Sequence, residues 1–163
     1  MIKFKDFLKE EIYNRDEFKP KRFNTSDGDT VTKHIISRKI GDKNVDVYFD
    51  TQGHTNTSYV DFKVDDTFSN LRSNFGRLDH KMEALHFVQN SVHSFVHHFK
   101  PNVLMMNPNS SVKKDLYAKF GQKLARVHNG KFETKQHEMA PYGYHVISFK
   151  KTPLSTIRAK IKQ

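Results

Sequence analysis

The residues best suited by type to do chemistry are histidines, and the sequence holds ten of them. On a helix of 3.6 residues per turn His86, His93 and His97 fall on one narrow stripe, and His93 and His97 have the i, i+4 spacing that brings two imidazoles to one ion. The residue after His93 is Ser94, so the glutamate that serves as base in helical zinc hydrolases has no counterpart. The stripe is a weak metal candidate and no metal is expected. His145 could pair with Asp61 or Asp65 only if neighbouring strands bring them together. The chain has no cysteine, which excludes disulfides, thiolate metal sites and cysteine nucleophiles. It also lacks a G-x-S-x-G elbow, a Walker loop and a dinucleotide glycine fingerprint.

Charge is the strongest global signal. With 28 Lys and Arg against 18 Asp and Glu, the net charge is +10 on 163 residues, which creates an attractive field for polyanions. The basic residues cluster at Lys113, Lys114, Lys119, Lys123 and Arg126, and again at Arg158, Lys160 and Lys162 near the end; Lys19, Lys21, Arg22 and Phe23 add an early group. No DNA-reading motif accompanies them, so the expected partner is nucleic acid bound without sequence preference, or an acidic protein. The longest mainly apolar run, Pro101 to Pro108, is far short of the roughly 20 residues of a membrane-spanning helix. No membrane partner is expected, and oligomeric state is left open.

The elements that must position these residues follow from apolar periodicity. Residues 1–13 read as an amphipathic leader helix through Phe4, Phe7, Leu8 and Ile12, and 14–29 as a linker. Residues 30–150 read as a single α+β domain. Val31–Ile40, Lys43–Asp50 and Ser58–Asp65 show the period-two pattern of an antiparallel meander, with Gly41-Asp42 as a tight turn. Asp79 is placed as the N-cap of a helix running to about Phe99, with a buried stripe of Leu85, Val88, Val92, Val96 and Phe99. A buried strand at Val103–Met106 precedes a second helix with stripe Val112, Leu116, Phe120, Leu124 and Val127. Tyr142–Phe149 is the last strand. Residues 151–163 form a basic C-terminal tail. Fourteen Phe and six Tyr predict an aromatic core.

Two stretches resemble known families. Asn107 to Gly121, NPNSSVKKDLYAKFG, is similar to the part of GCN5-related N-acetyltransferases where an Asn precedes a helix containing Leu-Tyr and then Gly. That fold has a central antiparallel meander, a long helix, a strand at a splayed opening, another helix and closing strands. The resemblance implies acetyl-coenzyme A as cofactor, Tyr117 as the general acid that protonates the departing thiolate, and the segment of Arg77 and Lys81 at the pyrophosphate. This segment, NFGRLDHK, has one glycine where the family motif carries two glycine-bearing steps, and Asp79 sets negative charge there. A scaffold without cofactor is therefore the first expectation and a working acetyltransferase the alternative.

MIKFKDFLKE resembles the capsid-targeting leader of internal head proteins of T-even-type bacteriophages, with Leu8-Lys9-Glu10 matching the pattern after which the prohead protease cuts. The resemblance implies a phage-encoded, virion-associated or host-takeover protein, located in the head interior and then in the host cytoplasm. A structural, oligomeric virion component is the further alternative.

Overall fold

The computed structural model describes residues 11–65, 77–108, 111–138 and 140–149. One mixed sheet of seven strands runs through them: β1 Lys19–Asn24, β2 Thr30–Ile40, β3 Lys43–Gln52, β4 Thr57–Val64, β5 Val103–Met106, β6 Gly130–His137 and β7 Ala140–Phe149. Two helices, α1 Leu78–Phe99 and α2 Ser111–Val127, complete the α+β architecture, and a 3-10 turn at Arg15–Glu17 precedes β1. The strand order is β1-β2-β3-β4-β5-β7-β6. Every neighbouring pair is antiparallel except β4 and β5, which run parallel over Thr57–Val60 and Val103–Met106. β4 continues to Val64 after β5 has ended, so the sheet parts at this point.

Alternation along the strands divides the sheet into two faces. Val45, Val47, Phe49, Phe62, Val64, Leu104, Met106 and Ile147 are buried on one face, and both helices pack there. The register puts Lys33, Tyr48, Asp50, Tyr59, Asp61 and Met105 on the opposite face, against which no helix packs among the described residues. Phe95 is 1% exposed, stacks on Phe49 with ring centroids 4.1 Å apart, and lies 4.8 Å from Phe99. Phe18, just after the 3-10 turn, inserts its ring 5.8 Å from Phe49 and 6.0 Å from Phe95. The aromatic core expected from composition lies here.

α1 is enclosed more fully than its apolar stripe suggests. Ala84, Phe87, Val88, Val92, Phe95 and Val96 are buried, and so are Asn90, Ser91, His93 and Ser94. The serines satisfy themselves by donating to the carbonyl four residues back, Ser91 to Phe87 and Ser94 to Asn90, each at 2.6 Å. Leu85 and Phe99, placed in the stripe by periodicity, are half-buried. The helix begins at Leu78 with Arg77 as N-cap, two residues before the expected Asp79 cap; Asp79 lies within the first turn. It ends at Lys100, whose left-handed backbone (φ 46°) lets its N–H donate to the Val96 carbonyl, and Pro101 follows. In α2, Phe120 and Leu124 are buried as expected, but Val127 is 48% exposed because the helix ends there.

Two stretches differ from the sequence expectation in kind. The linker assigned to 14–29 contains the 3-10 turn and β1, and the connection after α2 contains β6. These are the two edge strands of the sheet. Of the leader helix, residues 11–13 lie in chain without regular secondary structure. Tyr13 is buried against α1: its N–H donates to Ser94 Oγ at 2.8 Å, and its carbonyl meets His98 Nε2 at 2.7 Å. Residues 1–10 and the tail 151–163 lie outside the described residues.

Candidate functional site

Three regions hold residues singled out by type and spacing. The first is the parting of β4 and β5. Tyr117 lies on the helix-covered side, 6% exposed, its ring edge-on to Phe62 at 6.5 Å and beside Leu116 and Phe120. Burial, reinforced by the negative charge of Asp61, pushes its hydroxyl far above the usual tyrosine range, so the ring holds its proton tightly. On the open side a hollow of about 230 Å³ is lined by Tyr48, Tyr59, Asp61, Lys63, Met105 and Asn107.

Arg77 and Lys81 stand at the first turn of α1. Arg77 is engaged by Asp79 through both carboxylate oxygens, Nε to Oδ1 at 3.1 Å and Nη2 to Oδ2 at 2.8 Å. Desolvation works against it, yet the hydrogen bond from Arg77 and the His80 N–H hold the Asp79 carboxyl below its ordinary value. A carboxylate thus occupies the positive end of the helix and one of the two cations assigned to a pyrophosphate. Lys81 is half-buried, and its backbone N–H donates to the Arg77 carbonyl.

The histidine stripe is divided among separate environments. His86 Nε2 meets the Asn90 side chain at 3.0 Å, His97 is exposed, and His93 is buried with its Nδ1 3.2 Å from Nε2 of His128. His128, at the end of α2, had no periodic signal linking it to α1; only the packing of the two helices brings the rings together. Among the described residues no three His, Asp or Glu side chains are grouped to hold an ion.

The acid–base pairing of His145 with an aspartate does not form, because alternation places His145 and Asp61 on opposite faces: His145 is registered with Met106, and Asp61 follows Val60, the partner of Met106. His145 is buried, with Nδ1 3.1 Å from Thr134 Oγ1 and Nε2 3.0 Å from the Lys114 carbonyl. Asp65 instead accepts from the Asn44 N–H at 2.8 Å and pairs with Lys43 at 3.4 Å.

The second region is the outer side of α2. Lys119 and Arg126 are exposed and Lys123 is half-buried, and their i, i+4, i+7 spacing puts all three on one face. Lys114 is half-buried; the side chain of Lys113 and the whole of Arg158, Lys160, Lys162, Leu8 and Glu10 lie outside the described residues.

The third region is the edge at β1, where the early basic group sits on a strand rather than in a loop. All six residues of β1 are exposed. Its alternation sends Lys19, Lys21 and Phe23 to the open face and Pro20 and Arg22 to the helix side, opposite His34 and Thr32. Sequence periodicity missed this convergence because β1 has no buried residue to report it.

No family model matches the chain, and no curated protein matches it at a significant level. No described helix is long and apolar enough to cross a membrane.

Proposed function

We propose that this is a phage-encoded, non-enzymatic protein, virion-associated or acting in host takeover, that holds DNA or an acidic host protein by charge on an acetyltransferase-like scaffold. The observation that carries the reading is the outer face of α2, where Lys119, Lys123 and Arg126 align while the helix contributes a single acidic residue, Asp115. Such a face makes phosphate contacts without reading bases. The leader-like MIKFKDFLKE supports the phage setting. The Arg77–Asp79 pair at the start of α1 supports a scaffold without cofactor, since a pyrophosphate would have to displace a carboxylate.

The acetyltransferase-like character of the scaffold is favoured by the meander, the parallel pair β4 and β5 that parts beyond Val60, and the closing strands, the order that family is noted for. The same feature favours the second reading, a working N-acetyltransferase. In that case Tyr117 would supply the proton to the coenzyme A thiolate, and Arg77 and Lys81 would face the pyrophosphate. One experiment separates them: titration with duplex DNA at low and high salt, and separately with acetyl-coenzyme A. DNA binding that weakens steeply with salt and drops in Lys119→Gln/Arg126→Gln is expected. Saturable acetyl-coenzyme A binding lost on Lys81→Glu overturns the non-enzymatic reading.

A further inference from the structure

At the β1 edge, on the helix side of the sheet, a cleft of about 490 Å³ opens between the 3-10 turn, β1, β2 and the C-terminal end of α1. Its walls carry Arg15, Arg22, His34 and Asp16 over an apolar floor that includes Phe18 and Phe99. Arg15 is held in place: its guanidinium lies 4.5 Å above the Phe99 ring and Nη1 donates to the His98 carbonyl at 3.2 Å. Arg22 forms no ion pair or hydrogen bond among the described residues, and no carboxylate pairs with Arg15. His34 packs against Phe99 with ring centroids 4.3 Å apart. Its Nδ1 is buried without a hydrogen-bond partner among the described residues. An orphaned buried N–H is rarer than an orphaned acceptor, so the neutral ring carries its polar hydrogen on Nε2.

We propose that this cleft is a binding site for a phosphate group, free or borne by a small phosphomonoester, held by Arg15 and Arg22 with His34 as a further donor. Two guanidinium groups from separate elements, one pre-set by stacking and a backbone carbonyl, supply the forked donors that match phosphate oxygens. The volume falls in the range of small-molecule sites and leaves room for a substituent beyond the phosphate. Asp16, the one acidic residue of the lining, disfavours highly charged polyphosphates and leaves a monoester as the better fit. Burial and then the charges of Arg15 and Arg22 keep His34 neutral more readily than a free histidine; an anion beside the arginines offsets their charge and so raises the proton affinity of His34.

The full chain is titrated by calorimetry at constant ionic strength with inorganic phosphate, adenosine 5′-monophosphate and adenosine. Saturable binding of a phosphate-bearing probe, absent with adenosine and weakened about tenfold or more in Arg22→Gln, supports the site. That loss corresponds to about 1.4 kcal/mol. Phosphate alone binding as well as the monoester assigns the site to the free ion; preference for the monoester assigns it to the ester. Arg22 is exposed on an edge strand, so its change leaves folding intact, which a thermal melt verifies. No phosphate-dependent binding, or binding unchanged in Arg22→Gln and Arg15→Gln, overturns the proposal. Lys119→Gln/Arg126→Gln should leave this binding unaltered while reducing DNA affinity, so failure of the cleft and failure of the α2 face are separately visible.

Discussion

The two halves of the sheet are held to their helices by different chemistry. In the meander half, α1 meets β2 and β3 through packed rings, Phe49, Phe95 and Phe99 in a stack with Phe18 against them and His34 at their margin. In the closing half, α2 meets β6 and β7 through close backbone approach and buried imidazole. A Cβ on Gly121 would lie 2.7 Å from the Phe132 ring, and His145 ties the Lys114 carbonyl to Thr134. The halves join where His93 of α1 meets His128 and packs its ring edge-on to Phe120 at 5.8 Å. Apolar ring packing is insensitive to pH and tolerant of rearrangement, whereas a buried imidazole contributes fully only while neutral. The aromatic stack of the meander half should therefore set the magnitude of stability, and the buried imidazoles, His145 of the closing half and His34 at the meander's margin, its dependence on pH.

Truncating the aromatic stack is the severest way to test that division. Phe95→Ala is expected to cost about 3–5 kcal/mol, measured by urea denaturation, through loss of buried area and the cavity left behind. In the closing half Gly121→Ala should cost about 1–3 kcal/mol by overpacking against Phe132, partly offset by alanine's better helix propensity. A loss equal to that of Phe95→Ala would show that the closing half governs stability instead.

Acid should act mainly through the histidines. Burial holds His145 below its ordinary value of 6.5 despite the Lys114 carbonyl, and burial with Arg15 and Arg22 does the same for His34. The unfolded chain then takes up protons before the folded one, so stability is fully present above about pH 6.5 and falls as pH drops through that value. Thermal melts from pH 8 to pH 5 should show this decline, and His145→Gln should flatten it. The smallest effect is expected at the boundary between the halves: Tyr117→Phe removes a hydroxyl with no hydrogen-bond partner among the described residues and should shift stability by less than about 0.5 kcal/mol. On DNA, Lys119→Gln/Arg126→Gln should lower the log–log salt slope by about 1–2, since each phosphate contact contributes about 0.9.

The interior of the fold was legible where burial leaves a pattern. Val45, Val47 and Phe49 alternate because one side of β3 is covered, and Val103–Met106 is legible as a strand from its short apolar run between two prolines, of which Leu104 and Met106 are buried. The edge strands left none. In β1, KPKRFN, every residue is exposed, and in β6, GKFETKQH, Phe132 is the one large apolar residue. Such polar edges, with a proline in β1, blunt sheet-to-sheet pairing, and that removes the periodicity by which a strand is recognised. The site suffered the same loss: the basic face of α2 follows from spacing along one helix, whereas the Arg15, Arg22 and His34 cleft depends on the pairing of β1 with β2 and on the end of α1.

Composition and periodicity by themselves determined the α+β class, the aromatic interior, the two helices, the buried strands and the basic outer face of α2. Each of these follows from local residue order, because apolar area seeks cover at the period of its own element. Tertiary structure alone decided the two edge strands, the parallel joining of β4 to β5, the separation of His145 from Asp61 on opposite faces, the union of His93 with His128, and the gathering of arginines beside His34. Those depend on which distant backbone groups satisfy one another's hydrogen bonds, a choice made across the sheet and not along the chain.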